Sequence, residues 1–206
     1  MKDKRKRLPV LVMIGLLALV LPLALAAAED HPWPKLIEGT YAVTGMNAAL
    51  VAPNGFDTQT FEPINGVAFP VGPQSWEGTY TFHRHGTVDW DVIIGGIDPT
   101  IPGVPLTASS FHGKAKLYYT VAAGGKITFT AVHGTLKNTP LTGPPSNSVI
   151  NYDTNGSWNG VVSPDGKSMQ VTWGPPLILF FTDENDNPTP TQFIAIGSFT
   201  LFRLSD

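Results

Sequence analysis

The chain has no cysteine among its 206 residues. It therefore has neither disulfide staples nor a lipidated cysteine, and packing and strand pairing must hold the fold. Charge is sparse, at 14% of residues. There is no G-x-S-x-G elbow, phosphate loop, dinucleotide fingerprint or other nucleophile constellation. Beyond the first 28 residues no stretch carries apolar side chains at helical spacing. What remains is short runs of Val, Ile, Thr, Tyr, Phe and Trp, cut every few residues by Gly, Pro, Asn and Asp, which is the pattern of an all-β protein.

The first 28 residues differ from the rest. Lys2, Lys4, Arg5, Lys6 and Arg7 precede an apolar run from Leu8, and Ala26-Ala27-Ala28 closes it. A basic head, an apolar middle and a small-residue exit read as a secretory signal peptide over 1–28, with no twin-arginine pattern. The competing reading is an uncleaved anchor, the run being long enough to span a bilayer. Cleavage removes five of the 13 basic side chains and one of the 16 acidic ones, leaving 178 residues with net charge −7. One domain over 29–206 accommodates that length. Its acidity argues against nucleic acid as a partner, so membrane contact is expected only through an uncleaved signal segment. The expected location is secreted or periplasmic.

Three hairpins can be placed by their turns: Trp76–Ile94 around Arg84-His85-Gly86, Phe111–Leu136 around Ala123-Gly124-Gly125, and Ser157–Trp173 around Pro164-Asp165-Gly166. Each fits a three-residue loop ending on a glycine at positive φ. The turn sets the register, and the register sets the faces. Phe82 then pairs with Val88, Tyr80 with Trp90 and Trp76 with Ile94. Tyr119 pairs with Phe129, Leu117 with Ala131 and Ala115 with His133. In the third hairpin Val161 pairs with Met169 and Ser157 with Trp173. Each hairpin has one apolar face, and closing such sheets into an antiparallel barrel buries that face and removes the edges. Pro-rich loops are expected at Asp98–Pro105, Pro140–Asn147 and Asp183–Pro190, and a helical turn near Pro63–Gly66.

Gly39-Thr40-Tyr41 on the first strand, with Arg203 on the last, resembles the lipocalin and calycin superfamily. There a Gly-x-Trp motif carries an aromatic ring over which a last-strand arginine packs; here Tyr41 stands for the tryptophan, and no C-terminal helix follows. The resemblance implies a calycin-like barrel around a small apolar ligand. His83, His85 and Asp89 resemble the first half of the cupin metal motif, whose second half is absent. That resemblance implies a metal site, whereas the register places His83 on the polar face and His85 in a turn, which reads as a solvated hairpin tip.

The expected ligand site is the apolar face around Trp90, Tyr119, Phe129 and His133, with His133 as the polar anchor in an aromatic wall. The bland alternative is a core histidine bonded to backbone. His112 falls on the polar face beside Lys114. Asp183–Asn187 gathers oxygen ligands but lacks the glycine and final glutamate of a calcium loop. No cofactor is implied. The sequence thus points to a barrel that binds a small, mainly apolar molecule and leans away from catalysis. The alternatives are a cupin-like metal-dependent enzyme, a barrel isomerase, a small outer-membrane barrel, and a ligand-free surface protein.

Overall fold

The computed structural model describes residues 33–98, 103, 107–142, 150–154, 156–182 and 187–204, with backbone only at 150–154, 174 and 175. The expected signal segment 1–28 and the acidic stretch 183–186 lie outside the described residues.

Ten strands follow a single helical turn at Trp33–Leu36. They are β1 (Gly39–Ala52), β2 (Phe69–His83), β3 (Thr87–Ile97), β4 (Ala108–Val121), β5 (Lys126–Ala131), β6 (Leu136–Thr142), β7 (Ile150–Thr154), β8 (Ser157–Val162), β9 (Ser168–Thr182) and β10 (Pro188–Arg203). Every pairing is antiparallel, and β10 returns to pair with β1, so the sheet closes on itself. β4 pairs with β5 along its second half and with β6 along its first, while β9 pairs with β8 and β7 in the same divided way. The ring therefore has eight positions, two of them built from a pair of short strands. This is the expected all-β barrel.

Alternation along each strand decides what is inside. In β4 the side chains of Ala115, Leu117 and Tyr119 are buried, while Lys114, Lys116 and Tyr118 are exposed. The inner face is crowded with rings. Near the helical turn, Phe82 packs edge-on against Tyr41, Tyr119 and Phe129, with centroids 5.1, 5.2 and 5.9 Å away. Further along, Trp76 meets Trp173 at 4.7 Å, Phe199 at 5.4 Å and Trp90 at 6.2 Å. Trp76 lies across its β1 partner Gly45, where any Cβ would overlap the indole. Edge-to-face stacking of this kind adds to the burial of apolar area.

One end of the barrel is tied shut. Arg203 stands opposite Tyr41 in the β1–β10 register and donates from its two Nη atoms to the carbonyls of Leu36 (2.8 Å) and Glu38 (2.7 Å). The Tyr41 hydroxyl donates to the Gly166 carbonyl at 2.5 Å. We call this the capped end and the opposite one the distal end. Outside the wall, residues 53–68 lay Phe56 and Phe61 over Ile178 and Ile194 as a second small core.

The first hairpin has the expected register throughout, as does the second from Val121–Ile127 to Leu117–Ala131. Three expectations need correction. β5 ends at Ala131, and a tight turn, closed by Thr135 N–H on Val132 O at 3.2 Å, breaks the strand before β6 begins. Ala115 is thus not paired with His133. The third hairpin has a four-residue loop, because Ser163 N–H bonds to Ser168 O at 2.9 Å. That one extra residue shifts the pairing to Val162–Met169 and Gly160–Val171. It turns Trp158 inward and leaves Val161 58% exposed. Finally, Pro140 belongs to β6, and Pro188 and Pro190 to β10, so strands extend into two of the expected loops.

Candidate functional site

The four residues expected to share a pocket do not. Tyr119 and Phe129 are packed at the capped end around Phe82. The Tyr119 hydroxyl donates to the His83 carbonyl at 2.9 Å. Burial, with the negative charges of Glu38 and Tyr41 nearby, pushes its pKa up to about 12. Trp90 borders a void of only about 20 Å³ between Leu117, Leu136 and Trp158, room for about one water. The middle of the barrel is therefore filled core. His133 is exposed in the turn between β5 and β6, away from the lumen, because the strand that would have carried it inward ends two residues earlier.

Open space lies instead in the distal half of the lumen, where a cavity of about 250 Å³ runs up from Trp76, Trp173 and Leu179. Ile94, Phe111 and Phe193 add to its apolar wall. Its polar side is set by register. Gly197, Asn47, Gln74, Gly96 and Ser109 follow one another across β10, β1, β2, β3 and β4 as successive cross-strand partners. The glycines make room for their neighbours: a Cβ on Gly96 would meet Gln74 Cγ at 2.7 Å, and one on Gly197 would meet Asn47 Cβ at 2.8 Å. One step beyond, Asp98 accepts from the hydroxyls of Thr107 and Ser109, each at 2.5 Å.

Deeper in the same cavity is Asn138 of β6, 8% exposed and the only buried polar side chain among the described residues. Among the described residues its Oδ1 has no hydrogen-bond partner, and neither do the indole N–H groups of Trp76, Trp90 and Trp173. An unpaired buried polar atom costs about 1–3 kcal/mol. Four of them, three beside this cavity, are an expensive arrangement for a region that serves only as core. Sequence reasoning looked for a single polar anchor and chose His133. The polar side chain that the structure buries is five residues later, at Asn138, where the alternation Leu136, Asn138, Pro140 on the strand after the break turns it inward.

The histidines of the hairpin tip face outward. His83 Nε2 is 2.9 Å from Asp89 Oδ2 with both side chains about half exposed, and His85 sits in the turn. Next to them on the same outer wall, His112 Nε2 meets Asp91 Oδ1 at 2.6 Å and Lys114 Nζ meets Oδ2 at 3.3 Å. The His112 bond, with Lys114, holds the Asp91 carboxyl below the usual carboxylate range against the opposing effect of burial. These are cross-strand pairs on a wet face. No cluster of three metal-ligating side chains occurs among the described residues, nor is any described helix long and apolar enough to cross a membrane. No protein-family model matches the chain, and a search of curated proteins found no match.

Proposed function

We propose that this barrel binds a small, mainly apolar molecule in the distal half of its lumen, as an exported protein released from its signal segment near Glu29. The observation that carries the reading is Asn138, a buried amide with an unpartnered oxygen at an aromatic-walled cavity. Ligand sites combine an apolar wall with a few convergent polar groups in this way. The volume of about 250 Å³ lies just under the roughly 300–1,000 Å³ of drug-sized sites. It exceeds the roughly 150 Å³ that suffices for benzene in an engineered cavity. A one-ring ligand is the right scale.

Four of the five tryptophans face the lumen, so their fluorescence reports directly on occupancy. Titration of the wild type with single-ring aromatic probes gives a saturable change in emission. Ile94→Trp fills the cavity from its wall and abolishes saturation while leaving the far-ultraviolet dichroism and cooperative melting intact. A wild type that shows no saturable change with any such probe is a ligand-free barrel.

A further inference from the structure

We propose that Leu179 sets the depth of the distal cavity, so that the site takes one aromatic ring with a short tail and stops longer molecules at its floor. This rests on the binding reading above and names the size class of the ligand. Two spaces in the lumen share a partition. Trp76, Trp173 and Leu179 border both the distal cavity of about 250 Å³ and the void of about 20 Å³, and no other described side chain borders both. Leu136 borders the void alone. Benzene is accommodated in about 150 Å³, so the distal cavity has room for a ring and a tail of about three carbons.

The three side chains of the partition are not equally fixed. Trp76 is held by the rings of Trp173 at 4.7 Å, Phe199 at 5.4 Å and Trp90 at 6.2 Å, and Trp173 also meets Trp158 at 6.3 Å. Leu179 takes no part in that ring network; it stands on β9 across from Phe193 of β10. Alanine at 179 removes Cγ and both Cδ atoms and leaves the tryptophan contacts in place, so the cavity and the void become one space. A ligand tail can then extend downward into the aromatic core. With Leu179 present, a tail that outgrows the cavity must turn towards the open end and water, where added carbons gain little. Each methylene that is buried instead tightens binding about fourfold.

A series of alkylbenzenes from benzene to hexylbenzene, titrated by tryptophan fluorescence, measures the depth. Wild-type affinity should climb about fourfold per methylene and level off near propylbenzene. In Leu179→Ala the levelling point should move about three carbons further, carbon for carbon in a close-packed interior. Leu179→Val, the milder change should alanine prevent folding, should move it by about one carbon. Leu136→Ala enlarges the void without opening the partition, so its levelling point should match the wild type. The inference is overturned if the wild type shows no levelling, if neither Leu179 variant moves it, or if Leu136→Ala moves it as far as Leu179→Ala. In each of those cases benzene and its homologues still bind and the cavity reading survives. A wild type that gives no saturable change with any member of the series removes the cavity reading and the inference together.

Discussion

Asn138 stands directly across the β4–β6 ladder from Gly113, and its amide oxygen occupies the space a side chain on Gly113 would need. A Cβ there would come within 2.8 Å of Asn138 Oδ1 and 3.0 Å of the edge of the Trp90 ring. The missing side chain thus makes room for the buried amide and the Trp90 ring at once. Gly113→Ala should displace the amide and cost about 1–3 kcal/mol of stability through overpacking. Chemical denaturation measures the stability loss, and titration with 2-phenylethanol should show weakened binding. An unchanged variant in both assays would mean that Asn138 is not held by this contact.

Tyr119 predicts an alkaline limit. An unperturbed tyrosine titrates near 10, and here the folded-state value is about 12. Between these values the unfolded chain loses the proton while the folded one keeps it, so stability is fully present below pH 10 and falls as pH rises towards 12. Tyr119→Phe removes this contribution. Its denaturation midpoint should lose less between pH 10 and 12 than that of the wild type, although it starts lower for want of the bond to the His83 carbonyl. Parallel pH curves for the two proteins would contradict the assignment.

Arg203 predicts how firmly the capped end is closed. Its two bonds go to carbonyls of the entering chain, at Leu36 and Glu38. Hydrogen bonds from a charged donor contribute about 1.5–3 kcal/mol each. Arg203→Ala should cost about 3 kcal/mol. Arg203→Lys, which keeps the charge but cannot reach both carbonyls in a fixed fork, should recover about half of that. Amide exchange at Ile37, whose N–H bonds to Trp33 O at 3.0 Å, should accelerate in the alanine variant. Equal stabilities for all three proteins would show that the cap depends on Tyr41 and Ile37 instead.

The hairpin-tip histidines predict an absence of effect. His83 and Asp89 form an exposed pair, and such pairs contribute about 0–1 kcal/mol. The double variant His83→Ala, His85→Ala should stay within about 0.5 kcal/mol of the wild type, with no change in metal content by elemental analysis. One tightly held transition metal in the wild type, lost in the double variant, would restore the cupin-like reading.

The sequence made the first hairpin legible because Gly86 sits at φ 78° just where a three-residue loop requires it. Register then followed residue by residue as far as Trp76–Ile94. The same logic slipped at Gly166, which also has positive φ, because glycine marks a turn without stating its length. There the face of β8 alone flipped, while Met169 and Val171 of β9 stayed inside as expected; the large apolar Trp158 would have been the better guide. His133 was misplaced for another reason. Extrapolating a strand assumes that it continues, and nothing in Ala131-Val132-His133-Gly134 except the glycine warned of the break. The cavity was hidden for the same reason that its polar residues were: Asn47, Gln74 and Asn138 come from three strands, and Asp98 from the end of a fourth, all far apart in sequence. Each looks like an ordinary surface residue until closure brings the strands around one lumen.

Closure by β10 on β1 also has a history in time. Tyr41 has no partner in Arg203 until roughly 160 further residues have been made, which at 5–20 residues per second takes about 8–30 s. Domains dominated by such non-local pairings fold in milliseconds to seconds once complete. A nascent β1 therefore waits, with one bare edge and an apolar inner face of Tyr41, Val43, Ala49 and Val51, far longer than the final search takes. Until β10 exists the ring cannot close, so any demand for a chaperone should end when the last strand arrives.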